Sequence, residues 1–107
     1  MAERYDLNQA AKGDGPVLGG ASADLNFTLL SWSDGHTIGR HINDEVDVLM
    51  IVLGGRGEAM IGEERFDLAE GHAVLIPKGV EREIRSLSDG FRYLNVHTRR
   101  RLMPKGL

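Results

Sequence analysis

Short stretches in which every second residue is apolar recur from residue 23 to residue 97, and they constrain the fold more than any other feature. Turn-forming segments rich in Gly, Asp, Ser or Pro separate them, for example at 33–35 and 88–90. A period of two is typical of half-buried strands. We predict strands at residues 25–29, 37–43, 46–53, 58–61, 65–68, 72–76, 80–86 and 91–96. Many short strands joined by regular turns predict an all-β sandwich or barrel.

The chain has 107 residues, a length that suits one domain. We predict a core at about 23–97, an N-terminal appendage at 1–22 and a basic C-terminal tail at 98–107. Asp6 and Gln9 resemble a helix capping box and Gly13 a helix stop, so the appendage should begin as a short helical or irregular segment. The Gly- and Pro-rich residues 13–22 predict a loop.

Charge and composition exclude several classes of function. The net charge is -3, and four basic residues in the last ten carry +4, which leaves -7 on the remainder. An acidic body predicts no nucleic-acid partner, and the basic run at 99–101 is typical of a solvated tail or a docking segment. No apolar run approaches the roughly 20 residues that span a bilayer, so no membrane partner is expected. The absence of cysteine favours a cytoplasmic location.

Residues 48–53 are apolar at six successive positions. A strand with one solvated face would alternate, so this strand should be covered on both faces. If one face is the barrel interior, a second subunit is the natural cover for the other. We therefore expect a homodimer, with Met50 on the outward-facing side.

Two spaced patterns between residues 35 and 86 resemble the motifs of the cupin family. The family's first motif, G-x5-H-x-H-x3-E-x6-G, corresponds here to Gly35, His41, Asn43, Asp47 and Gly54. Its second motif, G-x5-P-x-G-x2-H-x3-N, corresponds to Gly71, Pro77, Gly79, Arg82 and Ser86. The resemblance implies a single small cupin domain, a double-stranded β-helix with a jelly-roll-like barrel.

In the cupins, two histidines and a glutamate of the first motif and a histidine of the second bind one divalent metal. Only His41 is unchanged here, and Asn43, Asp47 and Arg82 stand at the other three positions. Asn is a weak neutral ligand, and Arg has no lone pair to give a metal. We therefore expect no metal cofactor. The alternative is one divalent transition metal held by His41, Glu45, Asp47 and His97.

Arg82 should point into the barrel because it alternates with Val80 and Ile84. A buried arginine requires a partner, and the motif spacing offers Asp47. We therefore expect an Asp47–Arg82 pair at the position of the lost metal, with His41 and Asn43 beside it. These four residues form the predicted ligand-binding site. Alternatively, the pair is only a satisfied polar core.

Three functions remain open at this point. The first is a metal-free barrel that binds a small polar or carboxylate-bearing molecule, and it is the one that we favour. The second is a metal-dependent cupin enzyme of the isomerase or oxygenase type, and the third is a dimeric interaction module without catalysis. The sequence does not decide whether the protein is an enzyme, and it names no catalytic residue.

Overall fold

The computed structural model describes residues 2–9 and 13–99. Within them the chain forms strands joined by turns, all paired antiparallel. The strands are β1 (Gly15–Ala21), β2 (Leu25–Trp32), β3 (Thr37–Ile42), β4 (Val48–Gly54), β5 (Arg56–Ile61), β6 (Glu64–Ala69), β7 (Ala73–Ile76), β8 (Glu81–Ser86) and β9 (Phe91–Thr98). The described residues contain no helix long and apolar enough to cross a membrane.

The strands form two sheets that enclose one apolar core. The five-stranded sheet has the order β1-β2-β9-β4-β7, and the four-stranded sheet has the order β3-β8-β5-β6. Consecutive strands therefore alternate between the sheets along much of the chain, which is the double-stranded β-helix arrangement and confirms the predicted fold class. Of the largest fully buried side chains, Met50, Val52, Ser86, Phe91 and Tyr93 face this core, whereas Leu29 lies opposite Leu94 on the other face of its sheet.

The N-terminal part of the chain differs from the prediction. The capping contacts of Asp6 are present, since its Oδ1 accepts the backbone N–H groups of Asn8 and Gln9 at 3.0 and 3.3 Å. They support only a turn at residues 7–9, and residues 10–12 lie outside the described part of the chain. The predicted loop at 13–22 was wrong, because most of it is strand β1. Glycine and proline are tolerated there because β1 is an edge strand, and a bulge between Pro16 and Leu18 breaks its ladder.

Strand β4 alternates regularly between the inside and the outside of the barrel. Val48, Met50 and Val52 face inward and are buried, while Leu49 and Ile51 face outward and are half-buried. The expectation that Met50 faces outward was therefore wrong, since this side chain is 0% exposed. An unbroken apolar run does not show which alternate residues face the core, because both faces of the strand carry the same kind of residue.

The outer faces of the two sheets differ in chemistry. On the four-stranded sheet, Arg40 pairs with Glu83 at 3.3 Å, and Arg65 pairs with Glu58 at 2.8 Å. On the five-stranded sheet, Leu49 lies between Val96 and Leu75, and Ile51 lies between Leu94 and Ala73. One outer face therefore carries ion pairs, and the central strands of the other present aliphatic side chains.

Candidate functional site

A β-bulge turns His41 towards the barrel interior. Ile38 pairs with Ile84 and His41 pairs with Arg82. Between these two pairs, β3 advances by three residues and β8 by only two, so β3 contains one extra residue. Without the extra residue, Ile38 and His41 would point to opposite faces, because their separation is odd. The bulge instead directs Arg40 outward, where it pairs with Glu83. His41 and Arg82 thus come to share the face of the buried Ile84.

His41 and Arg82 form the centre of the candidate site. The Arg82 Nε–H donates a hydrogen bond of 2.8 Å to His41 Nε2. The other ring nitrogen, Nδ1, lies 3.2 Å from the carbonyl oxygen of Gly39. Because arginine has donors only, Nε2 must accept, and Nδ1 carries the ring proton that bonds to Gly39. Both nitrogens of the ring are therefore engaged.

The charge of Arg82 reaches the far wall of the barrel. Burial raises the pKa of Tyr93 on β9, while a hydrogen bond from Trp32 and the positive charge of Arg82 act to lower it. The Trp32 Nε1–H donates that hydrogen bond to the Tyr93 hydroxyl oxygen at 3.0 Å. Arg82 also has the buried Ile61 as its neighbour on β5. Arg82 therefore lies on the inward-facing side of β8, as the alternation with Ile84 predicted, and its side chain is half-buried.

Asp47 has a different partner from the one expected. Its Oδ1 accepts the backbone N–H of Lys78 at 2.9 Å, a contact that joins the start of β4 to the turn before β8. No ion pair joins Asp47 to Arg82 among the described residues, so the predicted Asp47–Arg82 pair is not formed. Motif spacing located both residues near the barrel mouth, but it did not reveal that a backbone donor lies closer to the carboxylate.

Asn43 stabilises the turn between β3 and β4. Its Oδ1 accepts the backbone N–H groups of Glu45 and Val46 at 3.0 and 3.3 Å. These two contacts fix the orientation of the amide, so Nδ2 is the atom that points away from the turn. Nδ2 is buried and has no hydrogen-bond partner within the described ranges. A buried donor of this kind is costly unless something else accepts from it.

A profile of the AraC-like ligand binding domain family matches residues 24–105, about three quarters of the sequence. The chain belongs to this family. The match covers both predicted cupin motifs, and the expected small cupin domain is confirmed. No curated protein matches the chain.

Several solved structures share the fold. A conserved protein of unknown function from Streptococcus pyogenes is 27% identical, with 95% of this chain and 91% of that chain covered and a TM-score of 0.74. A protein from Thermus thermophilus is 26% identical, with 94% and 100% covered and a TM-score of 0.75. A cupin-2 domain containing protein from Shewanella frigidimarina is 21% identical, with 75% and 76% covered and a TM-score of 0.64.

The residues at the cupin metal positions do not fit a metal in this AraC-like domain. The lone pair of His41 Nε2 is used by Arg82, and Asn43 Oδ1 is used by two backbone N–H groups. Asp47 Oδ1 accepts the backbone N–H of Lys78, and Arg82 places a fixed positive charge where a cation would lie. His41 Nε2, Asn43 Oδ1 and Asp47 Oδ1 are thus each engaged by the protein itself.

The alternative metal set is not assembled either. No group of three or more His, Asp or Glu side chains able to hold a metal occurs among residues 2–9 and 13–99, which include His41, Glu45, Asp47 and His97. His97 Nδ1 instead lies 2.6 Å from the carbonyl oxygen of Thr98. The presence of these polar residues near one end of the barrel therefore did not mean that they form one metal site.

Sequence reasoning missed three residues of the barrel wall, Trp32, Tyr93 and Asn95. Tyr93 and Asn95 share the inward face of β9 with Phe91, and Asn95 lies directly opposite Met50. Their alternation along 91–97 was a usable signal once Phe91 was assigned to the core. No comparable sequence signal marked Trp32. In the structure, its indole contacts Tyr93, and the ring of His36 stacks on it at 4.2 Å.

Proposed function

We propose that this AraC-like domain binds a small carboxylate-bearing molecule inside its barrel without a metal. The observation that carries the proposal is the Arg82 guanidinium on the inward-facing side of β8, held by a hydrogen bond to His41. Arginine presents a planar fork of donors that matches a carboxylate, and its charge is permanent. In a barrel lined mostly by apolar side chains, such a group favours an anion over a neutral molecule.

Two further features support a polar ligand. Asn43 Nδ2 is a buried donor whose orientation is fixed by the turn, so it is suited to donate to a carboxylate or carbonyl oxygen. The hydrogen bond to His41 holds Arg82 in one plane, which reduces the entropy lost when a ligand binds. The family to which the chain belongs is described as a ligand binding domain, which is consistent with this role.

Trp32 provides the readout for a direct test. It is the single tryptophan of the chain, and its indole is bonded to Tyr93 next to the proposed site. We expect lactate and acetate to change Trp32 fluorescence in a saturable manner, whereas lactamide, which lacks the carboxylate, should not. Loss of a hydrogen bond to a charged group costs about 1.5–3 kcal/mol, so Arg82→Ala should weaken binding by roughly 10- to 100-fold.

The matched control is Arg82→Lys, which keeps the charge and loses the fork. It should bind the carboxylates with intermediate affinity, because a lysine ammonium acts as a point charge. Saturable binding that is the same in Arg82→Ala as in the unaltered protein would contradict the proposal. The metal-dependent alternative requires His41 Nε2 to leave Arg82 before it can bind a metal.

We also propose that a second copy of the chain covers the outer face of the five-stranded sheet. The central residues of that face are Leu49, Ile51, Leu94 and Val96, with Leu75 at its edge 74% exposed. These residues bear no charge. In a dimer with a twofold axis through this face, apolar side chains of one subunit would therefore pack against those of the other, and no pair of like charges would be buried. The absence of cysteine supports a reducing, cytoplasmic location for this dimer.

A further inference from the structure

Asn95 is an inward-facing side chain that neither the cupin motifs nor the contact network explains. It lies in the middle of the barrel wall, directly opposite Met50 on β4 and Thr28 on β2. Met50 is fully buried, and Tyr93, two residues earlier on the same face of β9, is 2% exposed. Asn95 is thus a polar amide on the core-facing side of the central strand.

The Asn95 side chain has an acceptor that the protein does not satisfy. Its Oδ1 is buried and receives no hydrogen bond from any described residue. Such an acceptor lowers stability, and a leucine of similar size would remove the cost. A buried polar atom that lowers stability is characteristic of a binding site, because the matching group arrives with the ligand.

The position of Asn95 relates it to the Arg82 site. Asn95 lies opposite Met50 near the start of β4, and Asp47, just before β4, accepts the backbone N–H of Lys78 in the turn that leads into the strand of Arg82. Arg82 and Asn43 Nδ2 can only donate, whereas Asn95 Oδ1 can only accept. The interior therefore offers donors for a carboxylate and, on the β9 wall, an acceptor for a group that carries a proton.

From this arrangement we propose that Asn95 selects ligands that carry a hydroxyl or amino donor in addition to the carboxylate, with small hydroxy acids as the ligand class. This inference rests on the proposed function, since it assumes that Arg82 binds the carboxylate. A site built to bond a hydroxyl discriminates strongly against the analogue without it, because the buried acceptor is then left unpaired. Asn95 is thus a specificity-determining residue.

The test compares carboxylates that differ only by a hydroxyl group. Glycolate, lactate and malate are titrated against acetate, propionate and succinate, using calorimetry on the full-length protein. We expect each hydroxy acid to bind about 10-fold more tightly or better than its partner. Asn95→Leu should remove this preference while keeping the affinity for acetate, propionate and succinate. The control Thr28→Val, on the neighbouring strand, should keep the preference.

A second measurement does not depend on any ligand. The melting temperature of Asn95→Leu without ligand should equal or exceed that of the unaltered protein, because the unpaired acceptor is gone. A lower melting temperature would mean that the amide is bonded within the fold, and it would overturn the inference.

The outcomes separate this inference from the proposed function. If no carboxylate binds, or if Arg82→Ala changes nothing, the proposed function fails and the inference fails with it. If carboxylates bind through Arg82 but the hydroxyl gives no advantage, or Asn95→Leu retains the advantage, the inference alone fails. In that second case Oδ1 binds only water, and the specificity lies elsewhere in the barrel.

Discussion

The contact between His41 and Arg82 joins two strands of one sheet and determines what each side chain can still do. A histidine nitrogen that accepts from arginine is not available to a metal, and an arginine held by that nitrogen keeps its charge at the interior. His41 lies at an exposed position, so the hydrogen bond is partly screened by solvent. Its main effect is to orient the guanidinium rather than to stabilise the fold.

A double-mutant cycle measures this orientation directly. We expect His41→Ala and Arg82→Met to be coupled by about 1 kcal/mol in urea unfolding, because the two side chains share a hydrogen bond. The cycle of Asp47→Ala with Arg82→Met should show coupling within about 0.5 kcal/mol of zero, since Asp47 bonds to Lys78 instead. Strong coupling in the second cycle would restore the ion pair predicted from the sequence.

Asp14 gives a prediction for acid pH. A hydrogen bond of 2.6 Å from the Ser33 backbone N–H lowers the pKa of this carboxyl below its ordinary value. A lowered folded-state pKa adds stability above the unfolded-state pKa, and that stability is lost as the pH falls through the folded-state value. Thermal unfolding between neutral and acid pH should show this loss in the unaltered protein. Asp14→Asn keeps an accepting oxygen and should lack that component.

At the level of single residues, the sequence predicted which way a side chain points better than it predicted the hydrogen-bond partner of that side chain. The inward orientation of Arg82 followed from its alternation with Val80 and Ile84, and the structure agrees. The partner of Asp47 could not be predicted, because its backbone donor, Lys78, comes from a turn 31 positions along the chain. Asn95 was missed because the alternation of residues 91–97, which places it on the same face as Phe91, was not used.

Among the elements, the close approach of β5 and β9 depends on a glycine. A side chain at Gly57 would place its Cβ 2.4 Å from the Phe91 ring and 2.8 Å from the Arg85 carbonyl oxygen. Real Cβ atoms do not come so near, so the ring of Phe91 occupies the space that Gly57 leaves. Gly57 pairs with Ser86, whereas Arg82 lies at the other end of β8. This contact therefore closes the end of the barrel that is farther from Arg82.

Gly57→Ala should therefore destabilise the protein. Overpacking of this kind costs about 1–3 kcal/mol, which urea unfolding can measure. Gly19→Ala is the control, since a Cβ there would meet only the Phe27 carbonyl oxygen at 3.6 Å, an ordinary contact. If both substitutions have the same small effect, the Phe91 ring can move aside and the packing argument is wrong.

The strands were predictable from the period of two, and the sheets followed from the cupin resemblance. The edge strand β1 was not, because its glycines and Pro16 are typical of a loop, and its pairing with β2 is a tertiary effect. The bulge in β3 was also missed, although the isolated Gly39 within the predicted strand is a usable signal for one. That bulge is nevertheless what directs His41 inward.

In the whole molecule, the contrast between the two outer faces leads to a test of the proposed dimer. We expect the unaltered protein to sediment as a dimer at micromolar concentration, and Ile51→Lys to sediment as a monomer, because the substitution buries a charge. Met60→Lys is the control on the other outer face, where Met60 lies opposite Glu83 and Arg65. A monomeric unaltered protein, or a dimeric Ile51→Lys variant, would contradict the proposal.

The central claim is that Arg82 replaces the metal of related barrels in binding an anion. Calorimetric titration of lactate into the protein, before and after treatment with a chelator, tests it most directly. We expect the same affinity in both preparations, together with a loss of about 10-fold or more in Arg82→Ala, because the guanidinium supplies the positive charge. Binding that disappears with the chelator and returns with zinc or nickel would contradict the account.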